Sequence, residues 1–217
     1  MKIWQLIKKD LQLEWKSPFL MYGAILFVLS AAFTGYLAFK GQISEKSWVS
    51  LLWILMIFSS LYAASQTFYK ESEKEYYLFY SLVSPTQLLL GKLGFQLIFQ
   101  LIITLLGFGV LYGLFAPNLQ HVGHFLLLII LSSLNFTALL TVMAGIASRA
   151  GKSSTLLSIL CLPLLYPILI LGMQTAEVLL LKEEIPTIVY KYLGLKLAIF
   201  ALISSLGFVL FPYLWRD

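Results

Sequence analysis

Six long apolar runs, none containing Asp, Glu, Lys, Arg or His, occupy about residues 19–39, 48–68, 93–115, 125–147, 154–176 and 197–214 of this chain. A helix needs roughly 20 such residues to cross about 30 Å of hydrocarbon. Lipid cannot satisfy an open strand edge, and runs this long and continuous do not suit barrel strands. They predict an all-α membrane protein with six transmembrane helices. Hydrophobic residues make up 60% of the chain and mean hydropathy is +0.89, above the roughly 45–50% apolar content of soluble domains. Six spans use more than half of 217 residues, so the expectation is a single transmembrane domain over 1–217 with no separate soluble domain.

The charges between the runs set an orientation. With the N-terminus in the cytoplasm, Lys2, Lys8, Lys9, Lys16, Lys70, Lys74, Lys92, Arg149, Lys152 and Arg216 lie inside. Lys40, Lys46, Lys182, Lys191 and Lys196 then lie outside. Positively charged loops favour the cytoplasm, so both ends are placed there. Trp48, Tyr69, Tyr192, Tyr213 and Trp215 near span ends read as interfacial anchors. The net charge of +5 is accounted for by topology and anionic lipid rather than nucleic acid. The first run is too long for a cleaved signal and ends at Lys40–Gly41, so it reads as a retained span. Ahead of it, Ile3, Trp4, Ile7, Leu11 and Trp15 share one helical stripe, with Lys2, Lys9, Lys16, Gln5 and Gln12 off it and Lys8 at its edge. Residues 2–16 are expected to lie as an N-terminal interfacial amphipathic helix closed by Pro18, the alternative being an ordinary basic flank.

Two gaps exceed a simple turn. The first, cytoplasmic, runs from Tyr69 to Gly91; it opens with alternating charge and then places Tyr76, Phe79, Tyr80 and Val83 on one helical face. Ser84–Pro85–Thr86–Gln87 comes next as a helix start, with Ser as cap, Pro at the first helical position and Gln able to return a bond. Such an insert suits either a docking surface for a soluble partner or a solvated hairpin tip. The second gap, 177–196, faces outward. A gate, an external contact and a surface helix without a role are all compatible with it.

Within the spans, Gly109 and Gly113 form a GxxxG spacing and Ala144–Gly145 a small patch, which suit close helix contact or dimerisation. Ser132, Ser133, Asn135, Thr137 and Thr141 should face other helices rather than lipid. Pro163 and Pro167, one turn apart, predict a bent or broken fifth span. Cys161 reads as a packing residue. His121 and His124 could share a face as haem or metal ligands, but no third ligand lies near them in sequence. No catalytic constellation and no GxxxxGK[ST] phosphate loop is present, so the chain is not expected to be an enzyme or to hydrolyse nucleotide itself. Spans without charge cannot relay protons, which places the energy source outside the bilayer.

Leu82-Val83-Ser84-Pro85 followed by Leu88 to Lys92, Ala144-Gly145 to Ala150-Gly151 with Arg149, and Leu162-Pro163-Leu-Leu-Tyr-Pro167-Ile-Leu-Ile-Leu-Gly172 together resemble the CcmB family, membrane subunits of the cytochrome c maturation ABC transporter. The resemblance covers nearly the whole chain; it departs at Lys74-Glu75-Tyr76-Tyr77, where the family usually has an acidic residue and Gly. It implies an ABC-2-type permease fold in the bacterial inner membrane, with residues 2–16 as the elbow. Residues 70–83 become a coupling helix on which Glu71, Glu73, Lys74, Glu75, Tyr76, Phe79 and Tyr80 meet a cytoplasmic CcmA-type ATPase. Further implied partners are CcmC- and CcmD-type membrane proteins, a functional link to the haem chaperone CcmE, and a homodimer within the complex. ATP would act through the partner subunit, and haem is not expected to be ligated here. The same architecture would serve an ABC-2 permease for a lipid, polysaccharide or drug; a scaffold without transport is the reading from a different class.

Overall fold

In a computed structural model, residues 3–69, 83–149, 154–181 and 185–214 are described, and these form seven helices and no strand. They are α1 (Ile3–Lys16), α2 (Phe19–Ala38), α3 (Glu45–Tyr69), α4 (Pro85–Phe115), α5 (Val122–Arg149), α6 (Ser154–Leu181) and α7 (Thr187–Leu214). Six of them, α2 to α7, are long and apolar enough to cross a membrane. Helix α5 is the axis: 78% of its spanning window is buried, against 22% for α2 and 17% for α7 at the periphery.

Local chemistry sets where the helices begin and end. Lys40 and Gly41 take positive φ values of 52° and 76°, and the Gly41 N–H closes on the Tyr36 carbonyl at 3.0 Å, which stops α2. Ser44 Oγ accepts from Ser47 N–H at 3.2 Å and opens α3. Helix α4 ends on Ala116 in the left-handed region, just before Pro117.

Three boundaries differ from the apolar runs by five residues or more. Helix α4 starts at Pro85 rather than 93, α6 reaches Leu181 rather than 176, and α7 starts at Thr187 rather than 197. In two of the extensions a lysine, Lys92 or Lys196, lies on a face that the protein itself covers. In α7, Val189, Leu193 and Lys196 are all buried, one turn apart, while Lys191 is exposed. The expectation of charge-free spans with Lys196 outside is therefore corrected: this lysine is a fully buried residue of the last membrane helix.

Helix contacts also revise the small-residue signals. A Cβ at Gly109 or Gly113 would meet nothing within 4 Å, and both are exposed, so the GxxxG pair makes no contact within the chain. The Ala144–Gly145 patch does mark a close approach, between α5 and α7, where Gly145 sits under Phe211 and Gly207 under Val142. Helix α6 runs unbroken through Pro163 and Pro167. Both prolines lie on its exposed side. Trp48, expected at the interface, is fully buried between Phe108 and Phe125.

Candidate functional site

The end of α3 and the start of α4 bracket residues 70–82, so Glu71, Glu73, Lys74, Glu75, Tyr76, Phe79 and Tyr80 all lie outside the described residues. The corner just beyond them is held in place. Val83 is buried, and Ser84, extended at φ −69° and ψ 149°, accepts the Gln87 N–H on its Oγ with Pro85 at the first helical position. That is the expected helix start, since the cap satisfies a donor that has no intrahelical partner.

Helix α1 is clamped over the first turns of α4. Leu6 and Ile7 close on Gly91 and Gly94, so near that any side chain at either glycine would collide with them. Lys92, 5% exposed, pairs with Asp10 at 3.2 Å. Glu14 reaches back to accept the Met21 N–H at 2.8 Å, capping α2, whose own N-cap residue Pro18 offers no side-chain acceptor. A carboxylate there also suits the positive end of the helix dipole. Helix α1 thus has three sectors rather than two. Ile3, Leu6, Ile7, Asp10 and Glu14 face the protein, Trp4 and Trp15 stand exposed beside them, and Lys8, Gln12 and Lys16 complete the polar side.

From Lys92 a polar row climbs the inner face of α4 one turn at a time through Gln96, Gln100 and Thr104, all buried. Gln96 Nε2 donates to the Ser60 carbonyl at 3.4 Å; Gln100 Nε2 donates to the Met56 carbonyl at 3.1 Å and to Thr104 Oγ1 at 3.0 Å. Ser133 Oγ joins Thr104 Oγ1 at 3.4 Å. The expected inward face of α5 is present: Ser132, Ser133, Asn135, Thr137 and Thr141 are all buried. Beside it, Lys196 Nζ donates to Ser132 Oγ at 2.8 Å. Sequence reasoning missed Gln96, Gln100 and Lys196, although Lys92, Gln96, Gln100 and Thr104 recur every fourth residue, the spacing of one helical face.

At the opposite end from Ser84, His121 and His124 lie with ring centres 6.4 Å apart, and His124 meets Tyr190 edge-on at 6.0 Å. No group of three or more His, Cys, Asp or Glu able to hold a metal occurs among the described residues. Glu177, in the gap left open as a gate or contact, is part of the last turns of α6 and forms an ion pair with Lys46 of α3. A capped corner at Ser84, a clamped amphipathic helix and a polar row from Lys92 to Thr104 thus lie along α4.

A search of curated proteins finds no match to this chain. A family model described as ABC-2 type transporter matches residues 1–167, from α1 into α6.

Proposed function

Because the chain belongs to the ABC-2 type transporter family, a family of multi-pass permease subunits rather than catalytic ones, we propose that it converts ATP hydrolysis in a separate subunit into rearrangement of its own helices. Within that role we assign it to cytochrome c maturation, with a CcmA-type ATPase, CcmC- and CcmD-type neighbours and release of the haem chaperone CcmE as its output. The observation that carries the permease reading is the family match through α1, α2 and the Ser84 corner. The maturation role is supported more narrowly, by Leu82–Pro85 with Leu88–Lys92 and by Leu162–Gly172. The bacterial inner membrane, with both termini cytoplasmic, fits the excess of basic residues on that side, ten against four once Lys196 is placed inside the last helix.

In this proposal the ATPase docks on residues 70–83, with Glu71, Glu73, Lys74, Glu75, Tyr76, Phe79 and Tyr80 at the contact. Displacement passes into α4 through the Ser84 cap and into α1 through the Asp10–Lys92 pair. Replacing Glu73, Tyr76 and Tyr80 together by Ala is expected to lower ATPase turnover of the co-purified complex at least tenfold, while the membrane chain still folds. Normal turnover with normal assembly would leave a scaffold role instead. Deleting the chain is expected to abolish holo-cytochrome c; an unchanged yield would reassign the permease to another cargo.

A further inference from the structure

Four helices bring Trp53, Ser132, Gly172 and Lys196 to one level. Each lies about 12–15 Å along its helix from the side on which α3, α5 and α7 begin. Lys196 is 0% exposed. Its Nζ donates to Ser132 Oγ at 2.8 Å and stands 5.3 Å from the centre of the Trp53 ring. The Ser132 hydroxyl is itself committed as a donor to the Leu128 carbonyl at 2.7 Å, so it offers the ammonium a neutral lone pair. Asn135 Nδ2 donates to the Lys196 carbonyl at 3.1 Å and holds the backbone in place. No carboxylate pairs with Lys196 among the described residues.

Asn135 Oδ1 is one acceptor here without a partner, but the unpaired donors are more numerous. An ammonium has three N–H groups, of which Ser132 takes one. Trp53 Nε1, 2% exposed as a residue, has no acceptor. Gly172 lets both groups lie directly against the α6 backbone: a Cβ there would lie 2.8 Å from the indole and 3.3 Å from Nζ, so an oxyanion enters only if the indole or the ammonium shifts. A membrane-buried cation normally faces a partner charge or a functional path, because one hydroxyl and a ring face do not replace its hydration.

We propose that Lys196 is the anion-binding residue of an intramembrane site, and that its ligand is an amphiphile bearing a carboxylate or phosphate. An oxyanion accepts from Lys196 Nζ and from Trp53 Nε1 and supplies the missing countercharge. The walls select an apolar body: Phe136 packs edge-on against Trp53 at 6.1 Å. One turn from Trp53, a cavity of about 80 Å³ opens between α3 and α6, lined by Val49, Met173 and Leu180 together with Lys46, Ser50 and two carboxylates, Glu45 and Glu177. It is smaller than the roughly 300 Å³ of an ordinary ligand pocket, so entry requires α3 and α6 to part. That motion breaks the Lys46–Glu177 pair, and the freed Lys46 ammonium is the first contact for an incoming oxyanion before Lys196. Binding needs no nucleotide. Only the step that makes the bound amphiphile a cargo rests on the permease reading, so loss of one result leaves the other standing.

Calorimetric titration of the purified chain in dodecyl maltoside, with blank micelles subtracted, tests the site. Dodecanoate and dodecyl phosphate are the probes, and dodecanol is the uncharged control. At least one anion is expected to bind ten times or more tighter than dodecanol, and the tighter of the two identifies the headgroup class. Lys196→Met, close in volume and free of charge, is expected to lower anion affinity at least tenfold and leave dodecanol unchanged. Equal binding of dodecanol and both anions, or undiminished anion binding by Lys196→Met, overturns the proposal. Should that variant fail to fold, Trp53→Phe keeps a ring and removes the N–H: anion affinity should fall at least threefold, and an unchanged affinity is equally fatal.

Discussion

Trp48→Ala is expected to destabilise the bundle by about 3–5 kcal/mol, among the largest losses any single truncation of this chain should produce. The indole is 0% exposed, stands against Phe108 and Phe125 at ring distances of 6.0 and 5.6 Å, and donates from Nε1 to the Leu111 carbonyl at 3.3 Å. It thereby ties the start of α3 to the end of α4 and the start of α5. In a membrane the removed surface is not returned to water, so the loss comes from dispersion contacts and the cavity left behind. Trp48→Phe keeps most of the ring contact and should cost about 1–2 kcal/mol. Melting in detergent checks both. An interfacial anchor would behave otherwise, since an exposed Trp→Ala change would leave the melt within about 0.5 kcal/mol.

The same residue shows where sequence reasoning reaches and where it stops. Continuous apolar runs identify six helices because only a helix satisfies its own backbone in lipid. Caps such as Ser84–Pro85 and stops such as Lys40–Gly41 are legible because their chemistry is local. Which side of a span faces protein is not local, and Trp48 at a run's edge reads equally well as anchor or core. Gly109 and Gly113 carry a packing spacing but meet nothing within the chain; the Ala144–Gly145 patch does mark a close contact, while Gly207, with no such signal, makes another. Charge misleads most. Hydropathy treats any lysine as a boundary and so puts Lys92 and Lys196 in loops, yet each lies on a buried face, Lys92 beside Asp10 and Lys196 on Ser132. The expectation that no ionisable group enters the spans fails with that assumption. Gln96, Gln100 and Thr104 continue the Lys92 face inward, and reading that four-residue spacing as a polar row would have found it. The elbow is legible as amphipathic, but the roles of its acidic residues are not: Asp10 and Glu14 serve α4 and α2, neighbours that no local pattern identifies.

Lys92→Ala is expected to cost about 3–4 kcal/mol, because it strands the Asp10 carboxylate against α4 with, among the described residues, only Lys9, 3.9 Å away, to compensate. The double change Asp10→Asn with Lys92→Met removes both charges and keeps most of the volume. It should cost about 1 kcal/mol or less, since buried pairs lose roughly as much in desolvation as they gain in attraction. A double-mutant cycle on detergent melts measures the difference, and equal losses in the single and double variants would show that the pair does not behave as a buried charge clasp. The functional consequence comes from position. Leu6 and Ile7 close on Gly91 and Gly94 within one turn of Lys92, so the pair holds α1 to the part of α4 that Ser84 launches. In the single variant α1 should lift from α4, seen as faster proteolysis near Pro18 and as ATPase turnover uncoupled from output; the neutral double variant should restore both.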